Sequence, residues 1–267
     1  MSDATPASPA ALAEAPWRAG VRAARANAVP GAVLSVFAVA LLLGYRYVPT
    51  IHAALDGVAD FKERWGLGFA AISTALFGGL VPGLVQRLRP ATRRAASWRA
   101  IGFISAVWAV KGVEIDLLYR LQALALGHGA DPATVAAKVF FDMGVYCPTW
   151  AVPSTIAAYA VMEAGVSLKG LAPMKILGLW GWYKQIALPI IISNWGVWVP
   201  AVCVIYTLPL ALQLPVQNLV LCFWSLMLVL QVRDGGGPHV EAPDPPTTAT
   251  RPGNVRRPGD HPIDPPS

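Results

Sequence analysis

Six stretches of this chain run apolar without the every-second-residue alternation of a strand: residues 30–48, 67–86, 101–121, 135–162, 186–208 and 215–231. Each is long enough, or nearly so, to cross roughly 30 Å of hydrocarbon at about 1.5 Å per residue. A membrane β-barrel would need alternating strands, and none is visible. The pattern predicts an all-α fold, a polytopic transmembrane helix bundle of about six spans. Pro82, Pro148, Pro153, Pro189 and Pro200 fall inside spans and predict kinks. Ala71, Ala75, Gly79 and Gly83 recur every fourth residue and end in Gly-x-x-x-Gly, a stripe that lets a neighbouring helix approach closely.

The flanks divide the chain into three parts. Residues 1–29 form an N-terminal segment, rich in Ala, Pro and Ser at first. From Pro16 onward it carries Arg18, Arg22 and Arg25 at helical spacing, which predicts a short helix on the membrane surface. Residues 30–232 form the bundle. Residues 233–267 are dominated by Pro, Gly and Thr and are expected to be disordered, because such a composition cannot bury a core.

Composition agrees with a membrane setting. Hydrophobic residues make up 55% of the chain and charged ones 13%, about half the charged fraction of a soluble domain. The formal net charge of +6 is not gathered on a basic face, so nucleic acid is not an expected partner. It follows topology instead. Fifteen of the 21 basic residues fall in the N-terminal segment, in 87–99, in 169–184 and in the C-terminal tail. The opposite loops hold Lys62 and Arg64. By the positive-inside rule both termini face the cytoplasm or its organelle equivalent, in a bacterial inner membrane or an organelle membrane. Trp65, Trp98, Trp180, Trp182 and Tyr183 sit at expected interfacial positions, whereas Trp108, Trp195, Trp198 and Trp224 lie deeper and are expected to pack between helices.

The charges inside spans carry the most information. The third span holds Lys111, Glu114, Asp116 and Arg120, and the fourth holds Lys138 and Asp142. Spacings of three and four predict the pairs Lys111–Glu114, Asp116–Arg120 and Lys138–Asp142 on their own helices. Asp142 is further expected within reach of Lys111 or Arg120. Each charge costs about 2.5–3.5 kcal/mol at a helix centre on insertion scales, so the group should face protein or water. Two readings stand together: a polar pathway for a solute, or a self-neutralising network that pins two helices.

Enzyme and metal signatures are missing. His52, His128, His239 and His261 lie in loops or in the tail, too far apart in sequence for a metal cluster. Cys147, Cys203 and Cys222 show no zinc or redox spacing. There is no P-loop, no Gly-x-Ser-x-Gly and no dinucleotide fingerprint. The sequence therefore calls for no cofactor and no metal, and for the lipid bilayer as the partner, with a homo-oligomer left open.

The run Lys138-Val-Phe-Phe-Asp142, followed six residues later by Pro148, resembles a signature of the 22-kilodalton peroxisomal membrane protein family, small helical proteins of peroxisomes and the mitochondrial inner membrane with bacterial relatives. Asn194, Trp198 and Pro200, then Pro209 and Trp224, are similar to its C-terminal signature, and Gln86 to the glutamine of an earlier motif. The likeness covers roughly residues 67–231. It departs from the family at Pro82, Met143 and Val199. It implies a divergent relative without a catalytic site and a pore-like role for small solutes. It makes Asp142 the best-matched polar residue and Trp198, Pro200 and Trp224 conformational or packing positions. The sequence thus leads to a channel or pore-like protein for an unidentified small solute. A non-transporting scaffold or stress-response factor is the alternative, and a membrane-embedded enzyme ranks last.

Overall fold

The computed structural model describes residues 15–93 and 96–231, and the expectations for the extreme N-terminus and the Pro-rich tail lie outside them. Among the described residues the fold is all-α. Its helices are α1 (Pro16–Ala26), α2 (Ala28–Tyr47), α3 (Pro49–Trp65), α4 (Leu67–Leu88), α5 (Trp98–Leu126), α6 (residues 132–163), α7 (Ala172–Trp182), α8 (Leu188–Ile205) and α9 (Leu210–Gln231). Four helical stretches are long and apolar enough to cross a membrane: Ala28–Tyr47, Leu67–Leu88, Leu168–Ile205 and Leu210–Met227. The other two expected spans lie in α5 and α6. Both have the length, but the buried charges of α5 and the polar and proline residues of α6 lower their apolarity. Val36, Val110, Leu124, Phe140 and Ile176 are among many large apolar side chains left exposed on the outside, as a lipid-facing surface requires.

Three stretches widen into π-helix: Ala75–Leu80, Phe140–Ala151 and Tyr183–Ala187. Each contains a proline or runs up to one. Pro82 follows the first, Pro148 and Pro153 lie in and just after the second, and Pro189 follows the third. A proline has no N–H and its ring crowds the carbonyl four residues back, so the chain takes the looser turn there. Pro200 behaves differently from expectation. It sits inside α8, which stays α-helical throughout.

α1 is not a separate surface helix. Only Asn27 interrupts it before α2, and the two run beside α8 in the same direction. A Cβ on Gly20 would lie 2.9 Å from Ile192 Cβ, Asn27 donates to Ser193 at 3.1 Å, and Leu34 and Ala38 pack with Val197, Ala201 and Val220. α4 lies antiparallel on α5. Ala70 and Thr74 meet Gly112, Gly79 meets Ser105, and Gly83 meets Ile101. The expected stripe holds in its second half, where Gly79 and Gly83 meet α5, and shifts in its first half. Ala71 and Ala75 line an adjacent open groove, while Ala70 and Thr74 take the buried side.

α3 is the element the apolar pattern missed. Residues 49–66 read as a loop because they carry five charges within the nine positions 56–64, yet Pro49–Trp65 folds as a 17-residue helix. Pro49 occupies its first turn, where a missing N–H costs nothing. Leu55 and Val58, with Phe61 and Trp65 beyond, border a groove shared with α4 and α9.

Candidate functional site

α5, α6, α8 and α9 enclose a cavity of about 280 Å³. The antiparallel order of α5 and α6 is fixed by contacts at three levels: Trp108 donates to Tyr159 (3.3 Å), Lys111 to Ser154 (2.7 Å), and Tyr146 to Glu114. α8 runs back along α6. Tyr183 donates to the Pro148 carbonyl (3.1 Å), Trp195 to the Met143 carbonyl (2.9 Å), and Tyr206 to Asp142 Oδ2 (2.7 Å). The cavity follows this axis. Tyr119, Asp142, Val202 and Gln217 lie at one end, and Trp108, Tyr159, Ile190 and Ser225 at the other.

The two charge pairs expected within α5 both form. Lys111 Nζ donates to Glu114 Oε1 at 3.0 Å and Oε2 at 3.2 Å. With Ser154 Oγ this gives three acceptors for three ammonium protons. Arg120 Nε lies 2.7 Å from Asp116 Oδ2. The third partner is unexpected. Lys62, read as a residue of an outer loop, reaches from α3 to within 2.8 Å of Asp116 Oδ1 and also donates to the Leu210 carbonyl at 3.2 Å. No sequence pattern marks a lysine whose tip is buried, although the spacing of Leu55, Val58, Phe61 and Trp65 would have revealed the helix that carries it.

The expectation for Asp142 needs correction. No basic side chain of the described residues lies within ion-pair distance of it. Its hydrogen bond comes from Tyr206. Lys111 is occupied by Glu114 and Ser154, and Arg120 is drawn to Asp116 on a face where the arginine is 48% exposed. Lys138 is four residues before Asp142, but π turns begin between them at Phe140. A spacing of four no longer stacks two side chains once the turn widens. Lys138 is buried, and Asp131 at the start of α6 is the acidic group acting on it. Asp131 itself caps α6 by accepting from Thr134 N at 3.0 Å, and hydrogen bonding from the Thr134 side chain first, then from this N–H, holds its carboxyl below the usual aspartate value.

Around Asp142 the cavity end is polar and tightly packed. Tyr206 meets Tyr119 edge to face at 5.4 Å between ring centres, and the Tyr119 hydroxyl donates to Gln217 Oε1. A second buried polar set lies behind it: Thr74 Oγ1 donates to Asn218 Oδ1 (3.0 Å), and Asn218 Nδ2 to Ser73 Oγ (2.9 Å).

No family model, no curated protein and no solved structure matches this chain. The positions behind the family resemblance fall into two groups. Asp142, Asn194, Trp198 and Trp224 line the cavity. Gln86, Pro148, Pro200 and Pro209 do not. Gln86 accepts from Thr92 through its carbonyl at 2.7 Å, Pro148 accepts from Tyr183, Pro200 is exposed, and Pro209 accepts from Leu212 N in the turn into α9. Trp108, Trp198 and Trp224, expected only to pack between helices, also face the cavity. Of the six intramembrane charges, Lys111 and Asp142 line it, and Glu114 reaches it through Lys111 and Tyr146.

Proposed function

We propose that this chain is an integral membrane protein that binds a small solute in the α5–α6–α8–α9 cavity and passes it across the bilayer, without catalysis. The observation that carries this reading is the cavity itself. It follows the bundle axis and reaches both Lys111 and Asp142, charges that are costly in a membrane unless they serve a path or a partner. Asp142, the polar residue best matched in the likeness to the 22-kilodalton peroxisomal membrane protein family, shares the cavity wall with Asn194, Trp198 and Trp224. Both termini face the cytoplasmic side in this reading.

Full-length protein in liposomes should raise permeability to glycerol, urea or potassium chloride above that of protein-free vesicles. Ser225→Trp, which fills one end of the cavity, should lower that flux while helicity and elution volume stay unchanged. Vesicles as tight as protein-free controls to all three solutes would overturn the reading.

The alternative is a non-transporting scaffold. Its support is the completeness of the Lys62–Asp116–Arg120 and Lys111–Glu114–Ser154 groups, which hold α3, α5 and α6 together. In that case Asp142→Asn changes stability and no solute moves.

A further inference from the structure

The cavity has one charge that the protein does not neutralise. Lys111 lines it, but its ammonium is saturated by both Glu114 oxygens and by Ser154. Asp142 also lines it and is 5% exposed. Its Oδ2 accepts from Tyr206, and Oδ1 has no hydrogen-bond or ionic partner among the described residues. The cavity wall carries six aromatic rings: Tyr119 at the end that holds Asp142, Trp108 and Tyr159 at the far end, and Tyr146, Trp198 and Trp224 besides. An aromatic face attracts a cation within about 6 Å of the ring centre, and more strongly where water is excluded.

We propose that the cavity is a binding site for a small organic monocation, a protonated amine whose ammonium sits on Asp142 Oδ1 and whose apolar body lies along the cavity wall toward the Tyr119, Tyr146 and Trp198 rings. The inference rests on reading the cavity as a solute site and names the class of solute. Size agrees. A volume of about 280 Å³ leaves room for a small amine. The donor set argues against a bare metal ion. Calcium takes six to eight oxygen ligands and magnesium a near-ideal octahedron of oxygens. Here the Tyr206 and Tyr119 hydroxyls and Gln217 Oε1 are engaged with Asp142 or with one another, and Gln122 Oε1, buried beside Tyr206, adds one more oxygen, still short of either set. The charge balance argues against an anion, since the one cation on the wall is already paired twice over.

Benzylammonium, benzyl alcohol and benzoate share one ring and differ in charge. Binding of each to the purified full-length protein in nanodiscs can be followed by calorimetry and by quenching of tryptophan fluorescence. Benzylammonium should bind saturably and at least about tenfold more tightly than the other two, a difference of about 1.4 kcal/mol. Asp142→Asn should erase that preference while leaving the weak benzyl alcohol binding as it was. Asp142→Glu keeps the charge and should keep the preference, so a fold-damaging asparagine variant does not decide the matter. Equal affinity for benzylammonium and benzyl alcohol in the unaltered protein, or a preference that survives Asp142→Asn, overturns the proposal. So does displacement of benzylammonium by millimolar calcium in place of other amines. These are binding measurements. A protein that binds benzylammonium and passes nothing across liposomes refutes transport alone, and one that passes glycerol without preferring the amine refutes this site alone.

Discussion

Lys62 Nζ lies 2.8 Å from Asp116 Oδ1, with the lysine side chain 3% exposed and the aspartate fully buried. The contact joins a helix of strongly mixed polarity, α3, to the middle of the bundle, and Lys62 also takes up the Leu210 carbonyl at the start of α9. Removing one member of such a pair leaves an uncompensated buried charge. Lys62→Ala should therefore destabilise the protein by about 3–5 kcal/mol. Lys62→Met with Asp116→Leu, which removes both charges, should be more stable than either single change. Thermal melts in detergent, read by helical circular dichroism, test both statements. A Lys62→Ala melt equal to the original would show that α3 is held by its apolar face alone.

Arg120 touches the same carboxylate from the other side but stands half exposed. Exposed ion pairs are worth about 0–1 kcal/mol, so Arg120→Ala should cost far less than Lys62→Ala in the same melts. If the two cost the same, Asp116 depends on its half-exposed partner as much as on its buried one.

The difference between these two partners marks what the sequence could and could not disclose. Asp116 and Arg120 are four apart on one helix, and that spacing alone forecasts the pair. Lys62 is more than fifty residues away, in a stretch whose charges resemble those of any solvated loop. The same contrast holds along the chain. Long apolar runs placed α2, α4, α8 and α9 to within a few residues, because hydrophobic length is a local property. The wall of α4 that meets α5 was legible at Gly79 and Gly83 but not before them, since the π turns at Ala75–Leu80 offset the first half of the stripe from the second. Lys138 and Asp142 failed to pair for the same reason. The aromatic cavity was out of reach, because it is assembled from four helices and no one of them signals it.

Gly112 is where α4 and α5 come closest. A Cβ there would lie 2.2 Å from the Ala70 carbonyl oxygen and 2.5 Å from Thr74 Oγ1, so the helices would have to separate. Gly112→Ala should cost about 1–3 kcal/mol, as overpacking does. Gly102→Ala, on the same helix but facing open space, should be close to neutral and serves as the control. Equal melting temperatures for the two variants would contradict the close approach.

Transmembrane direction gives a test that does not depend on stability. α5 and α6 are antiparallel, with Trp108 beside Tyr159 and Glu114 beside Tyr146, and the loop of residues 127–131 joins them at one end. If both cross the bilayer, reporter fusions at Gly129 and at Lys169 should report opposite sides. Two fusions on the same side would mean that α6 does not cross.

Tyr206 is the one hydrogen-bond donor found at Asp142, and both side chains are buried. Tyr206→Phe removes the hydroxyl and keeps the ring that packs on Tyr119, so its effect isolates the hydrogen bond. A hydrogen bond to a charged acceptor is worth about 1.5–3 kcal/mol, and the carboxylate left behind would have no other donor among the described residues. Asp142→Ala removes the same bond from the other side and also enlarges the cavity. In the double variant the bond can be lost only once. The two single costs should therefore exceed the double cost by about the value of the bond, which a double-mutant cycle on melts at fixed detergent concentration measures directly. Strict additivity would show that Tyr206 contributes only its ring, and that Asp142 draws its stabilisation from whatever fills the cavity.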